Sequence, residues 1–365
     1  MSTLLLNREN IEQLIEAVTV NGKLIVENKE DYTRLVRLAR AYSKAVKAMI
    51  NYVIRGVSHT EATKRLYNVL PNYIYLETAY KNAKAIVESL EETNGSKCEI
   101  KKFWLASRGS KYDYGNRNIR LIPRENFFEV LIKYPWDGTW IRAKAFFGER
   151  YISMLRELAE LASRRSEGYG VVISFRKHPR IHVQVPTHLY LKHFSNTMQL
   201  NGGGFVAGFD MNSDRINMVV VDERGKIVYM KSMRFSEVVS HGFSAELSKQ
   251  RRLQALSHLI KLAKQVGATC IAFENLFAVK KRFTGNPTAN RKISKFAKRQ
   301  LLLHGILRSL REGLHVVLVD PRGTTNSEEH SKAMRRYGLD RHTASAYLVA
   351  LRALSKVDTN QHKQT

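Results

Sequence analysis

Two carboxylates occupy positions that solubility alone does not require. Asp210 ends an apolar stretch in the segment GFDMN, and Glu274 ends another in CIAFENL. Carboxylates at strand ends project from the carboxyl edge of a sheet, where α/β domains collect their ligands. If the two strands are neighbours, the like charges face each other and call for a cation, and oxygen ligands favour Mg²⁺ or Mn²⁺ over zinc. The structural alternative for each acid is a turn or a helix-capping role.

A third candidate ligand comes from the segment YGLDRHTASAYLVALRAL. Asp340 precedes its alanine-rich helical stretch, and its alternative role is that of an N-cap, because Asp accepts backbone N–H bonds at helix starts. His342 follows two residues later and is either a metal ligand or a partly buried residue of the helix start. The residues alone leave open whether Asp340 or His342 completes the site.

The elements that must position these residues follow a regular order in the second half of the chain. Periodicity and β-rich composition predict three strands in close succession, then a helix, a strand, a basic helix, a strand and a last helix. The predicted strands are 205–209, 216–221, 226–231, 269–273 and 314–319, and the predicted helices are 245–265, 291–311 and 342–354. The order βββαβαβα is that of the ribonuclease H-like fold, in which two parallel strands extend three antiparallel ones.

The first half of the chain has a different texture. Helical periodicity predicts helices over 32–54 and 74–90, and alternating β-rich stretches between 97 and 185 are interrupted by a helix over 149–163. The pair Asn21-Gly22 between apolar residues predicts a hairpin turn. Many short strands with a helical insertion predict a β-barrel or sandwich that carries a helical lobe.

The charge of the chain indicates the class of its partner. The 365 residues include 60 Lys plus Arg against 33 Asp plus Glu, a net charge of +27, yet 44% of residues are hydrophobic, so the charge sits on folded domains. A strong positive field on a folded protein favours a polyanion, above all nucleic acid. No apolar run is long enough for a bilayer, and with only Cys98 and Cys270 no disulfide framework forms, so we expect no membrane partner and a cytoplasmic location.

Two further features indicate contacts with nucleic acid. Between residues 280 and 299 the chain has eight basic residues and no acid: Lys280, Lys281, Arg282, Arg291, Lys292, Lys295, Lys298 and Arg299. This segment begins six residues after Glu274, and we expect it to clamp phosphates beside the cleft, with a merely solvated face as the alternative. Tyr112 and Tyr114 lie in a polar, glycine-bearing turn, where exposed rings can stack on unpaired bases.

The motifs resemble those of the TnpB family, the OrfB-type proteins of small insertion sequences that are related to type V CRISPR effectors. GFDMNSDRINMVVVDERGKIV is similar to the first nuclease motif of that family, and FENL is similar to the second. VVLVDPRGTTNS resembles its strand and Thr-Ser turn, and GLDRHTASAYLVALRAL resembles its third motif. The order and spacing of these pieces carry the likeness from about residue 205 onward, whereas the first half is similar in architecture only.

This resemblance implies a transposon-associated, RNA-guided DNA endonuclease, a hydrolase with a RuvC-type site and with guide RNA and target DNA as partners. Asp210, Glu274 and a third acid, for which Asp340 is the candidate, would hold two Mg²⁺ or Mn²⁺ ions. The implied fold is a multidomain α/β and α+β protein. It has a β-barrel wedge domain over 1–30 and 95–200, a helical recognition lobe over 31–94, a RuvC/ribonuclease H-like nuclease domain over 205–355, and a disordered tail over 356–365.

Two departures from the family pattern matter. The interval SEEHSKAMRRYGL lacks the four cysteines of the usual zinc ribbon, so we expect no structural zinc, and we expect His330 at the surface. The string Asp340-Arg341-His342 stands where many relatives read Asp-Arg-Asp, so His342 falls at the position of the metal-binding acid. Two alternatives therefore stay open: a guided DNA- and RNA-binding protein that has lost cleavage, and an unguided resolvase or transposase of the ribonuclease H fold. The oligomeric state stays unknown.

Overall fold

The computed structural model describes residues 3–92, 100, 102–175, 177–195, 204–277 and 298–361, without the side chains of 92, 245, 298 and 358–361. The chain forms two compact units. The C-terminal unit combines residues 1–14 with 194–365, and the N-terminal unit consists of residues 15–193. The division into a wedge domain and a separate recognition lobe stays a prediction.

The strands and α-helices have the following bounds in chain order. The strands are β1 (Leu4–Leu5), β2 (Ala17–Ile25), β3 (Trp104–Ser107), β4 (Ile119–Pro123), β5 (Phe128–Lys133), β6 (Trp140–Phe147), β7 (Gly170–Phe175), β8 (Pro179–Pro186), β9 (Phe205–Met211), β10 (Arg215–Val221), β11 (Ile227–Arg234), β12 (Ala268–Glu274) and β13 (His315–Val319). The helices are α1 (Arg8–Leu14), α2 (Lys29–Ile54), α3 (His59–Leu66), α4 (Tyr73–Glu92), α5 (Ile152–Ser163), α6 (Thr187–Phe194), α7 (Ala245–Gln265), α8 (Lys298–Arg311), α9 (Glu328–Tyr337) and α10 (Arg341–Gln361). Within the described part of the chain, no helix has both the length and the apolar character that a bilayer crossing requires.

The C-terminal unit is built on one sheet of six strands in the order β1-β13-β12-β9-β10-β11. Strands β9, β10 and β11 pair antiparallel, whereas β12 runs parallel to β9 and β13 runs parallel to β12. This topology agrees with the predicted order of elements. Strand β1 adds an antiparallel edge, with Leu4 opposite Leu318, which the sequence did not indicate.

Both faces of this sheet are covered by helices. On one face, α9 and α10 pack on the alternate residues Val206, Val219 and Cys270. On the other face α7 and α8 meet the sheet, so a β-carbon added at Gly305 of α8 would lie 2.7 Å from the Phe273 ring. The predicted helix over 245–265 coincides with α7, whereas no helix was predicted where α9 lies.

A helix and the sheet approach each other closely at Gly208 in the middle of β9. A β-carbon at this position would overlap the carbonyl oxygen of Ala346 and the amide nitrogen of Ala350, and it would lie 2.9 Å from the α-carbon of Ala350. Because these are backbone atoms, they have no rotamer change that would make room. The small residue at 208 therefore allows α10 to lie directly on β9.

The N-terminal unit contains an antiparallel sheet of seven strands in the order β3-β7-β8-β2-β6-β5-β4, curved into a half-barrel. Buried and partly exposed residues alternate along β5 and β7, as the period of a sheet with one buried face requires. Helices α2 and α4 pack against each other around the fully buried rings of Tyr42 and Tyr75.

The hairpin turn predicted at Asn21-Gly22 is wrong. Strand β2 runs through both residues from Ala17 to Ile25, and Asn21 is paired with His182 of β8. A β-carbon at Gly22 would lie 2.6 Å from the Phe147 ring of the neighbouring strand. The glycine serves a close approach between strands rather than a turn.

We predict that Gly208→Ala destabilises the protein by about 3 kcal/mol, because the added methyl group overlaps backbone atoms of α10. Chemical unfolding curves of the two proteins measure this loss. Gly148→Ala is the matched control, since Gly148 has φ −62 and its nearest contact for an added β-carbon is 3.7 Å away. An equal effect of the two substitutions would rule out the proposed packing constraint.

Candidate active site

The two carboxylates that the sequence singled out lie at the ends of neighbouring parallel strands. Phe209 of β9 is opposite Phe273 of β12 in the parallel ladder, and Asp210 and Glu274 are the next residue on each strand. Equivalent positions on adjacent parallel strands place their side chains on the same face. Asp210 is 7% exposed, so its charge lies in a partly dehydrated environment.

The start of α10 lies against the first of these carboxylates. His342 Nδ1 is 3.0 Å from Asp210 Oδ2. On the same face of the sheet, Asn217 of β10, which is paired with Asp210, donates from Nδ2 to Thr343 Oγ1 at 3.0 Å. The contact of α10 with β9 at Gly208 thus brings the third sequence motif to the first.

The contact between His342 and Asp210 is a hydrogen bond when a proton lies between Nδ1 and Oδ2, because otherwise two acceptor atoms would face each other at 3.0 Å. Asn212 Nδ2 donates to the same Asp210 oxygen at 2.6 Å and also lies 3.1 Å from the imidazole nitrogen.

Asp340 caps the helix instead of contacting Asp210. Its Oδ1 accepts the backbone N–H groups of His342 and Thr343, and its Oδ2 accepts the Thr343 hydroxyl. Partial burial alone would raise the pKa of Asp340, but the hydrogen bonds from Thr343 and His342 outweigh it and hold that pKa below its usual value. The N-cap alternative weighed for Asp340 is therefore realised, while His342 is the residue in contact with Asp210.

Glu274 is supported by the turn that follows β13. Thr324, which is 1% exposed, donates its hydroxyl proton to Glu274 Oε1. Asn326 in the same turn has φ +66 and accepts at Oδ1 from the guanidinium of Arg341 at 3.0 Å. The sequence motif VVLVDPRGTTNS indicated a strand and turn here, but it did not indicate that Thr324 reaches Glu274.

The loop between β9 and β10 is supported from the other side by a buried arginine. Arg252 of α7 is 5% exposed and donates from Nε to the carbonyl oxygen of Ser213 at 2.9 Å. Burial lowers the pKa of Arg252. Arg215 has its pKa raised, first by its hydrogen bonds to Asp214 and also by the charges of Asp340 and Asp210. The loop that carries Asn212 is therefore held by cations close to the carboxylates.

The expectation that His330 lies at the surface is wrong. His330 is 3% exposed, and its Nε2 donates to the carbonyl oxygen of Arg341 at 2.8 Å and lies 3.3 Å from Ser345 Oγ. Ser327 caps α9 by accepting from the His330 backbone N–H at 3.1 Å. The segment without cysteines is thus an ordered helix whose histidine holds the first turn of α10.

The donor types at this site suit a divalent cation, although they do not converge on one point. Asp210 and Glu274 offer the oxygen atoms that Mg²⁺ and Mn²⁺ prefer, and His342 offers a nitrogen. Across the part of the chain that the structure describes, no three His, Cys, Asp or Glu side chains stand together as one metal site. The two neighbouring carboxylates fit a metal ion, and the third ligand stays open.

Sequence comparison connects the chain with relatives that match most of its length. The uncharacterized protein SSO2105 of Saccharolobus solfataricus is 48% identical over 347 residues, which cover 93% of each chain. The chain belongs to the SSO2105 family. The model of the SSO2105 N-terminal domain matches residues 17–195, nearly the bounds of the N-terminal unit. An uncharacterized protein of Aeropyrum pernix is 29% identical over 317 residues, covering 82% of this chain and 84% of that protein.

Among solved structures, one similar chain is Thermus thermophilus RuvC in complex with a Holliday junction substrate. It is 16% identical and covers 42% of the SSO2105-family chain and 94% of its own, with a TM-score of 0.30. A likeness of this size has no bearing on the function of the SSO2105-family protein. Its chemistry has to be argued from its own residues.

Most of the predicted basic segment of this SSO2105-family member lies outside the described residues. This holds for Lys280, Lys281, Arg282, Arg291, Lys292 and Lys295, and for the side chain of Lys298. Arg299 is described: it is exposed on α8 and lies 6.0 Å from the centre of the Phe277 ring. The clamp function of the segment stays a prediction.

The predicted tyrosines of the N-terminal unit are exposed. Tyr112 is 74% exposed and Tyr114 is 44% exposed, with φ +55 at Tyr114. Arg165 lies 4.4 Å from the centre of the Tyr114 ring, and Arg120 lies 5.7 Å from it. These SSO2105-family tyrosines have the exposure that stacking on bases needs, and their role in binding stays a prediction.

For Asp340 we predict a structural effect that depends on the cap and not on the charge. Asp340→Ala should lower the free energy of unfolding by about 1 kcal/mol, because two backbone N–H groups of α10 lose their acceptor. Asp340→Asn should retain stability within a few tenths of a kcal/mol, since Asn is an equally good N-cap. Denaturant titration distinguishes the two, and equal losses would contradict the capping role.

Proposed function

We propose that the protein is a metal-dependent endonuclease that hydrolyses phosphodiester bonds at the carboxyl edge of the C-terminal sheet. The observation that carries this proposal is the placement of Asp210 and Glu274 at equivalent ends of two adjacent parallel strands, with His342 in contact with Asp210. The net charge of +27 attracts a polyanionic substrate, which two neighbouring carboxylates would repel. A cation bound between the carboxylates removes this repulsion, and we propose that binding it is their role.

In this proposal Asp210 and Glu274 hold the metal, and His342 supplies the third ligand through Nδ1, the ring atom that faces Asp210. The ion would polarise the scissile phosphate and stabilise the leaving oxygen. Asn212 orients the Asp210 carboxylate through its 2.6 Å hydrogen bond, and Thr324 orients Glu274. Asp340 fixes the first turn of α10 so that His342 points at Asp210. Each ligand therefore has a neighbour that restricts its rotamer before substrate binds.

The substrate that we propose is DNA selected by a guide RNA, as the motif resemblance to the TnpB family implies. The excess of basic residues supports a nucleic-acid partner, and the segment from 280 to 299 is proposed to clamp phosphates next to Glu274. The N-terminal unit would serve as wedge and recognition domains, and the exposed rings of Tyr112 and Tyr114 would stack on unpaired bases.

One observation favours a second candidate, a guided nucleic-acid-binding protein with weak or no cleavage. Asp340 is engaged in capping, and no three potential ligands among the described residues form a metal site. Under this alternative the protein binds DNA and RNA but lacks the third ligand that a two-metal site needs. Cleavage assays separate the two candidates, because both predict binding and only the first predicts products.

We predict that Asp210→Asn lowers cleavage of guide-matched DNA at least about 100-fold, because a neutral amide binds a cation poorly in place of a carboxylate. The assay uses the protein purified with its co-expressed RNA, in Mg²⁺ or Mn²⁺ and in EDTA. Glu223→Gln removes one exposed negative charge from the same unit and should leave the rate unchanged. Cleavage that resists both EDTA and Asp210→Asn would disprove the proposal, and cleavage of branched DNA without RNA would make the protein an unguided resolvase.

The third ligand is tested at positions 340 and 342. We predict that His342→Ala lowers cleavage at least about tenfold, whereas His342→Asp retains it, because an aspartate at this position supplies an oxygen ligand to the same cation. Asp340→Asn, which keeps the helix cap, should retain cleavage within a few-fold. If Asp340→Asn abolishes cleavage and His342→Ala does not, Asp340 is the third ligand.

A further inference from the structure

A groove on the N-terminal unit lies along one side of α2. Its volume is about 520 Å³, and it is lined by Tyr32, Arg37, Arg40, Lys44, Val69 and Trp136, among others. We call this feature the α2 groove. No acidic residue is among those that line it.

The three cations of the α2 groove differ from their neighbour on the same helix. Arg34 is paired with Asp31 at 3.4 Å and with Asp137 at 2.8 Å. Arg37, Arg40 and Lys44 are exposed, and the structure shows no ion pair between them and any described carboxylate. As far as the described carboxylates are concerned, the charge of this part of α2 is therefore available to an anion.

The spacing of these cations suits a chain of phosphates rather than a single anion. Positions 37, 40 and 44 recur on one side of a helix. With a rise of about 1.5 Å per residue, they lie roughly 4.5 and 6 Å apart along the axis. Long side chains at these intervals can reach successive phosphates of an extended strand. A compact anion such as phosphate would not need cations spread over this length.

Two aromatic rings, those of Tyr32 and Trp136, line the α2 groove. The guanidinium of Arg37 lies 5.0 Å from the centre of the Trp136 ring, and that of Arg40 lies 5.5 Å from the ring of Phe103, which is not among the lining residues. Tyr32 is 41% exposed at the same groove. These contacts hold the guanidinium groups in place and present flat surfaces, which accept nucleobases irrespective of sequence. A duplex offers only paired, stacked bases and cannot use such surfaces.

We propose that the α2 groove binds one single strand of nucleic acid, with its phosphates on Arg37, Arg40 and Lys44 and a base against the Arg37–Trp136 pair. This binding function goes beyond the proposed nuclease site, because it uses none of the carboxylates and requires no cleavage. The charge and the rings of the groove fit RNA and DNA single strands equally.

The test compares variants of the full chain by fluorescence anisotropy in EDTA. The probes are labelled 12-nucleotide oligo(U), 12-nucleotide oligo(dT) and a 12-base-pair DNA duplex. The triple variant Arg37→Gln, Arg40→Gln and Lys44→Gln should bind at least one of the single strands at least tenfold more weakly. Its plot of log affinity against log salt concentration should be shallower by about 2, since each phosphate contact on a single strand contributes about 0.7.

The control variant also loses three positive charges, but at exposed positions on α7. Lys249→Gln, Arg251→Gln and Lys261→Gln together should change the affinity for the single strands less than twofold. Loss for oligo(U) alone or oligo(dT) alone supports the proposal and identifies the strand. Unchanged binding of both by the α2 triple variant, an equal loss in the α7 control, or a loss confined to the duplex would overturn it.

The aromatic side is tested separately at Trp136. Trp136→Ala should weaken single-strand binding about tenfold through lost stacking, whereas Trp136→Phe should stay within about threefold of the parent protein. Circular dichroism checks the fold of both variants. If Trp136→Ala does not fold, the proposal is tested by two separate proteins, Trp136→Phe and the α2 triple variant. Because the assay measures binding in EDTA and requires no cleavage, failure of the nuclease proposal is distinguishable from failure of this one.

Discussion

The backbone contact between α10 and β9 at Gly208 is the constraint on which the candidate active site depends. Because residue 208 has no side chain, the helix lies on the strand, and the backbone of Ala346 and Ala350 occupies the space where a β-carbon would stand. Asp210 follows two residues along the strand, and His342 lies about one helical turn before Ala346. The 3.0 Å contact between Asp210 and His342 is therefore a consequence of packing in the middle of the sheet.

The second carboxylate depends on a different set of contacts. Glu274 is placed by the parallel pairing of β12 with β9, and its rotamer is restricted by Thr324 from the turn after β13. That turn leads into α9, whose buried His330 binds the carbonyl oxygen of Arg341 at the start of α10. Helix α9 thus contributes to the candidate site by holding the same helix start that carries His342.

The basic residues of the chain have different surroundings. Some cations are internal to the structure, as Arg252 is when it holds the β9–β10 loop and Arg34 is when it pairs with Asp31 and Asp137. Others, such as Arg37 and Arg40, lie beside aromatic rings with no described carboxylate as a partner. Cations that stack on rings without an acid present a positive, flat surface, and this combination is what distinguishes a nucleic-acid contact from a solvated face.

The sequence by itself determined most elements of the C-terminal unit, because periodicity is local: α7 has the predicted bounds, and Asp210 and Glu274 directly follow the predicted strands 205–209 and 269–273. Whether Asp340 or His342 contacts Asp210 was decided only by the tertiary structure, since it depends on where α10 lies on the sheet. The same holds for His330, which is buried on α9, a helix that no pattern indicated. It also holds for Gly22, which continues a strand and leaves space for the Phe147 ring of the next strand. Local preferences specify which residues form a strand or helix. Contacts between residues far apart in the chain decide which side chains meet, and the chemistry of this site depends on those contacts.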